Sequence, residues 1–411
     1  MITLNVHLLR CPQHALTTLT KVTMSETLPH WMTEVTRLTR LGKLAEATQA
    51  IQQALGRPSL PLPTASAQST HSDVVENSAA EWMNTAVDTP PAARAPANVE
   101  GSRLTGSHSE SGLTRDYLLD LPPPGSETPP GAPLPLVVML HGCTQNPADF
   151  ALGTGMSALG REQGFAVLYP AQAQDANPQR CWNWFQPDHQ LRGQGEAAVL
   201  AGMTRAVVAQ HGLDARRVYV AGLSAGGAMA ANLGQAYPDI YAAVGIHSGL
   251  ASGAANDLMS ALSAMKNGPR TPTSAPVTSH PGAADNGMIG KASQQLPRPT
   301  IVFHGDGDGI VHPGNGTHAI AMALGDALDS GDSAAGAAVQ ELGMSPQGRR
   351  YTRTVYRSAG SPTPQAEHWV VHGGGHAWSG GSAQGSYTDP GGPDATREMW
   401  RFFSHHIGSA A

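Results

Sequence analysis

From about Leu113 to the end of the chain, short apolar runs alternate with stretches of helical character. The runs are PLVVML (135–140), FAVLYP (165–170), RVYVAG (217–222), AAVGIHS (242–248), TIVFHG (300–305) and HWVVHG (368–373). None alternates apolar with polar residues, the pattern of strands buried on both faces of a parallel sheet. Between them lie an Ala/Val/Met-rich segment from about Gly195 to His211 and a small-residue segment after Ser224, both with helical composition. Strand, helix, strand in succession predicts a layered α/β fold.

The rest of the chain has a different texture. Trp31, Val35, Leu38 and Leu41, then Leu44, Ala47, Ile51 and Leu55, recur at helical spacing, with Gly42 as a weak point or a turn. Such a stripe covers its own protein, a second chain or an apolar surface, and packing on its own protein is the plain expectation. Residues 57–112, with PLPTASAQST and TPPAARAPA, have no sustained period and read as a flexible linker. The expected division is a helical segment over 1–56, a linker over 57–112 and a folded α/β domain over 113–411. A Pro/Ser/Thr/Gly-rich surface insertion is expected at 266–298.

Composition narrows the function. The 411 residues carry a net charge of −6 and no Lys/Arg run, which argues against nucleic acid as a partner. No apolar run approaches the roughly 20 residues that span a bilayer. Met1 to Met24 has polar interruptions and no A-x-A site, so no secretory leader is read. A cytoplasmic location is the expectation, with export by another route as the alternative. Three cysteines make one pair plus a spare, or three thiols, and no disulfide framework.

The chemistry centres on Gly222-Leu223-Ser224-Ala225-Gly226, directly after RVYVA and before the small-residue helix. A G-x-S-x-G turn holds its serine on a tight strand-to-helix bend, where flanking side chains have no room. Ser224 is therefore the candidate nucleophile; the plain reading is a Gly/Ser helix cap. A serine nucleophile needs a base and an acid that orients it, in the order acid then histidine. Asp308 in HGDGDGIV is the chosen acid, with Asp306 as its rival, and either could be a turn residue. His376 in GGGHAW is the chosen base, with His372 as competitor. Three glycines between the two histidines argue against a helical zinc motif, and no metal or cofactor is expected. His405-His406 reads as a helix end.

An oxyanion hole should combine the N–H of Ala225 with one from His141-Gly142-Cys143-Thr144, of which Cys143 is the choice. Cys181, in CWNWF, is the natural partner for Cys143, against two free thiols; Cys11 reads as free. Trp182, Trp184, Phe185 and Trp378 lie on loops expected to flank the catalytic mouth, as an apolar wall or as loop packing. Gln145, Asn146 and Asn183 either bind ester carbonyls or hold loops.

Taken in order, LHGCTQNPADFA, CWNWF, GLSAGGAMAANL, HGDGD and GGGHAW resemble the polyhydroxybutyrate (PHB) depolymerase esterase family over about residues 113–407 and near Met32. The resemblance implies an α/β-hydrolase fold, with a mostly parallel sheet and helices on both faces. It also implies a Ser224–Asp308–His376 triad and ester hydrolysis through an acyl-enzyme. The expected substrate is a poly(3-hydroxybutyrate)-type polyester or its oligomers, with a polyester granule as a partner for the N-terminal segment. The same group is similar to feruloyl and acetylxylan esterases, which form the alternative; a granule adaptor is the non-enzymatic one.

Overall fold

In a computed structural model of the chain, the residues described are 101–126, 129, 131–269, 298–325, 338–358 and 360–408. The amphipathic segment at 31–55, most of the expected linker and most of the expected insertion lie outside them. The chain divides into two units, Met1–Ala92 and Ala93–Ala411, and the described residues all belong to the second.

Six apolar runs form the centre of the sheet: β3 (Leu136–Leu140), β4 (Ala166–Pro170), β5 (Val218–Leu223), β6 (Ala243–His247), β7 (Thr300–Gly305) and β10 (Pro364–Val371). All six run parallel, in the order β4-β3-β5-β6-β7-β10. Antiparallel strands extend both edges. On one side lie β2 (Leu113–Leu121) and then β1 (Ser102–Glu110); on the other, β9 (Arg350–Arg357) and then β8 (Val339–Met344).

Both faces are covered. Leu136, Val138 and Leu140 of β3 pack toward α3 (Gly195–His211) and α4 (Ala225–Ala236). Val137 and Met139 face the opposite core, with Phe150 of α1 (Pro147–Thr154), Met156 of α2 (Met156–Gln163) and Met399 and Phe402 of α7 (Ala395–Phe403). The described residues also include two further helices, α5 (Leu258–Asn267) and α6 (Gly314–Leu324), and the two-residue strands β11 (Trp378–Ser379) and β12 (Thr388–Asp389).

The expected linker boundary at residue 112 is corrected. Residues 102–110 are a strand, paired with β2 along its whole length. Its side chains are mostly polar and largely exposed because it sits at a sheet edge, so it lacks the apolar pattern that marks the central strands. Ser111 and Gly112 make its turn, both at positive φ (54° and 75°), as a two-residue hairpin turn requires.

Candidate active site

Chain topology brings the ends of β3, β5, β7 and β10 to one edge of the sheet, where open α/β sheets bind ligands. Ser224 follows β5 at φ 58° and ψ −121°, a strained conformation fixed by its surroundings. Its N–H donates to the His247 carbonyl at 2.9 Å. A side chain at Gly222 would collide with Gly226, and one at Gly226 with the Leu140 carbonyl, so both positions need glycine. The turn then opens α4, whose N-terminus carries unpaired N–H groups.

Asp308 and His376 meet across two loops. His376 Nδ1 lies 2.8 Å from Asp308 Oδ2, and the carboxylate is completely buried. Asp308 Oδ1 accepts from the N–H groups of Ile310 and Val311, both at 2.9 Å. Burial alone would raise the Asp308 pKa. Hydrogen bonds from His304, His376 and Val311 outweigh it and hold the carboxyl far below its usual range. An ionised Asp308 keeps the proton on Nδ1, so the Nε2 of a neutral His376 is free to act as a base.

The two rivals pair with each other instead. His372 Nδ1 contacts Asp306 Oδ2 at 2.8 Å and His372 Nε2 contacts Thr352 Oγ1 at 2.8 Å, while Gly373 N–H donates to Asp306 Oδ1. This pair ties the loop after β7 to the loop after β10, but neither residue lines the cavity that holds Ser224. Among the described residues, no group of three or more His, Cys, Asp or Glu side chains is placed to hold a metal ion.

Ser224, Ala225, Gly142, Cys143 and His376 line one cavity of about 430 Å³, within the usual range of ligand sites. Among the described residues no hydrogen bond joins Ser224 Oγ to the His376 ring, and catalytic hydrogen bonds of this kind often form fully only in the substrate complex. Among the described residues, the N–H groups of Cys143 and Ala225 have no hydrogen-bond acceptor, and both residues line the same space. Cys143 and Cys181 are joined by a disulfide. The bridge ties the Cys143 loop to the aromatic loop of Trp182 and Trp184.

Of the three tryptophans expected at the mouth, the structure places one in the cavity. Trp184 lines it together with Phe185, whose ring it meets edge-on. Trp182 and Trp378 are corrected to core residues. Trp182 is fully buried and donates its indole N–H to the His141 carbonyl at 3.1 Å. Trp378 is buried, stacks on His247 and donates to Thr396 Oγ1. An aromatic next to a site motif supports the loop from behind as readily as it faces the ligand.

The polar candidates hold loops. Gln145 accepts from Gly142 N–H and donates to Asp149, Asn146 caps α1, and Asn183 binds Glu196. Glu196 itself, fully buried at the start of α3, was not singled out by sequence. It accepts from Asn183 N–H, Gln172 Nε2 and Arg115 Nη2, fixing the loop that carries Cys181 and Trp184. Burial opposes its ionisation, yet the nearby His189 and hydrogen bonds from Gln172 and Asn183 depress its pKa. The sequence reading also missed Leu250, Leu258, Leu262, Met265 and Ile310, which form an apolar wall of the cavity, and Tyr387. All but Ile310, which stands two residues after Asp308 in HGDGDGIV, lie on segments without a motif.

A family model described as esterase PHB depolymerase matches residues 116–338. Poly(3-hydroxyalkanoate) depolymerase C of Paucimonas lemoignei is 34% identical over 272 residues, covering 64% of this chain and 58% of that protein. Feruloyl esterase B of Thermothelomyces thermophilus is 34% identical over 122 residues, covering 29% of this chain and 41% of that protein. Among solved structures, the acetyl xylan esterase from Aspergillus awamori aligns with a TM-score of 0.52 at 17% identity, over 73% of this chain and 99% of that one. That likeness, with the sheet described above, shows the α/β-hydrolase fold. The matched regions span 58% and 41% of the length of these two curated relatives.

Proposed function

The chain belongs to the esterase PHB depolymerase family, and from that premise we propose that it is a serine esterase acting on poly(3-hydroxybutyrate)-type polyesters or their oligomers. One observation carries the reading. The buried Asp308–His376 pair and the strained Ser224 converge on a cavity into which the Cys143 and Ala225 N–H groups are free to donate.

Ser224 Oγ attacks the ester carbonyl carbon as its proton passes to His376 Nε2. The carbonyl oxygen becomes an oxyanion held by Cys143 and Ala225 N–H, each such donor contributing about 3 kcal/mol to the transition state. Collapse expels the alcohol, which takes the proton from His376 and leaves an acyl ester on Ser224. Water, deprotonated by His376, attacks that ester, releases the acid and restores the serine. Asp308 holds the imidazole in the required tautomer and stabilises its protonated form.

Substrate class follows from the apolar part of the cavity lining. Leu250, Leu258, Leu262, Met265 and Ile310 offer a ligand aliphatic contact, and among the described residues the lining has no Lys, Arg, Asp or Glu. Such a surface suits an uncharged aliphatic acyl chain. The longer match to the Paucimonas lemoignei depolymerase, 64% of this chain against 29% for the feruloyl esterase, supports the same choice. The amphipathic segment at 31–55 is assigned a role in docking to polyester granules. Deleting residues 1–100 should then lower granule association and leave soluble-ester hydrolysis in place; unchanged association refutes the docking role.

A side-by-side assay of amorphous PHB, 3-hydroxybutyrate oligomers, methyl ferulate and acetylated xylan tests the substrate. Release of hydroxybutyrate units with negligible ferulate release is expected. Ferulate turnover about tenfold above oligomer turnover, about 1.4 kcal/mol of transition-state preference, would overturn the polyester reading and leave the triad standing.

A further inference from the structure

Two residues beside the oxyanion loop hold backbone conformations that non-glycine side chains rarely adopt: Thr144 at φ 65° and Tyr387 at φ 51°. Residues in such regions persist where their surroundings over-determine them, and they gather at functional sites. These two are 243 positions apart in the chain, yet their hydroxyls meet at 3.1 Å.

The Thr144 hydroxyl fixes the direction of the contact. Thr144 has one hydroxyl proton, and it is donated to the Cys143 carbonyl at 2.6 Å. Thr144 Oγ1 therefore accepts from Tyr387. A directed chain runs from Tyr387 O–H to Thr144 Oγ1, and from Thr144 O–H to the carbonyl of Cys143, a residue that lines the cavity.

The tyrosine is itself held in place. Its carbonyl accepts from Trp378 N–H at 2.7 Å, and the preceding Ser386 N–H donates to Asp149 Oδ1 at 2.9 Å. Gln145 joins the same two loops from the other side of Cys143. Its amide donates to the Ser386 carbonyl at 3.1 Å, and its Oε1 accepts from Gly142 N–H at 2.9 Å. The segment around Tyr387, which lies beyond His376 in the chain, thus clamps the oxyanion loop on both flanks of its donor.

We propose that Tyr387 is a positioning residue for the oxyanion hole, acting through the Thr144 hydroxyl to set the orientation of Cys143. The assignment rests on the ester-hydrolase reading above. Because the Tyr387 hydroxyl acts on the donor and not on the ground-state ester, its loss should appear in kcat more than in KM.

Tyr387→Phe, Thr144→Val, the double variant and Ser224→Ala are compared on p-nitrophenyl butyrate, with a butylboronic acid that forms a tetrahedral adduct on the serine as a second probe. Each single variant should lose about three- to tenfold in kcat, the worth of one hydrogen bond, with KM near its original value. The boronate inhibition constant should rise by a similar factor. The double variant should be no worse than the poorer single one, since both break the same chain. An unchanged kcat and boronate affinity in Tyr387→Phe, or losses that multiply in the double variant, would overturn the assignment. An active Ser224→Ala would instead defeat the esterase reading itself. If Ser224→Ala is inactive while Tyr387→Phe matches the wild type, only the role of Tyr387 fails.

Discussion

Asp306 and Asp308 stand two residues apart, His372 and His376 four apart, and the fold sorts them into separate pairs. Sequence order alone left both combinations open, because each aspartate follows the same strand and each histidine follows another. Burial separates them: the Asp308 carboxylate is completely enclosed, whereas 43% of the Asp306 side chain is exposed. Asp308→Asn should therefore cost about 10⁴ in kcat by favouring the wrong imidazole tautomer. Asp306→Asn loosens only a loop tie and should cost less than about tenfold. Steady-state kinetics on a soluble ester decide the matter, and equal losses in the two variants would remove Asp308 from its role. Nucleophile, acid and base were each legible as candidates because each sits in a short motif at a strand end. Trp182 and Trp378 were not legible as core residues, since a motif records that an aromatic is present and not which way its ring turns.

At the scale of elements, the six central strands could be read from unbroken apolar runs. Their boundaries agree within a few residues with β3, β4, β5, β6, β7 and β10. The four antiparallel strands could not. Strand β1 and strand β8 are largely exposed, so neither alternation nor an apolar run marks them. Their pairing is a property of the sheet edge and not of local composition. The elbow between β5 and α4 is the opposite case, where local sequence dictates geometry. Gly226→Ala would press a methyl group against the Leu140 carbonyl, in a segment with no room to move. A loss of at least about 2 kcal/mol in urea-denaturation stability is expected, within the range for overpacking. A variant as stable as the wild type would show that the elbow can relax, and that the glycine is not sterically required. Glu196 illustrates what spacing cannot convey. Its partners Arg115, Gln172 and Asn183 come from three separate segments, and only folding assembles them around the loop that carries Cys181.

For the whole molecule, buried histidines set the response to acid. Burial pushes His141 and His368 down to about 4; burial with the neighbouring His304 and His376 pushes His247 down to about 3. In the unfolded chain each returns to its ordinary value near 6.5. Between those limits the unfolded state binds more protons, so stability is full above about pH 6.5 and falls as the pH drops toward 4. Each histidine contributes a slope of about 1.4 kcal/mol per pH unit within its window. Denaturation midpoints should therefore decline well above the pH at which carboxylates protonate. A flat stability from pH 7 to pH 5 would contradict the neutral burial of these rings. The same fold that excludes water from them gathers Ser224, Asp308 and His376 at one sheet edge, and the proposed acyl-enzyme is the step that would join fold to function. Its direct test is mass spectrometry of enzyme quenched during turnover of a 3-hydroxybutyrate oligomer, with peptide mapping of any adduct. A hydroxybutyryl ester on the peptide containing Ser224, absent in Ser224→Ala, is the predicted result; an adduct on another residue, or turnover that persists in Ser224→Ala, would contradict the account.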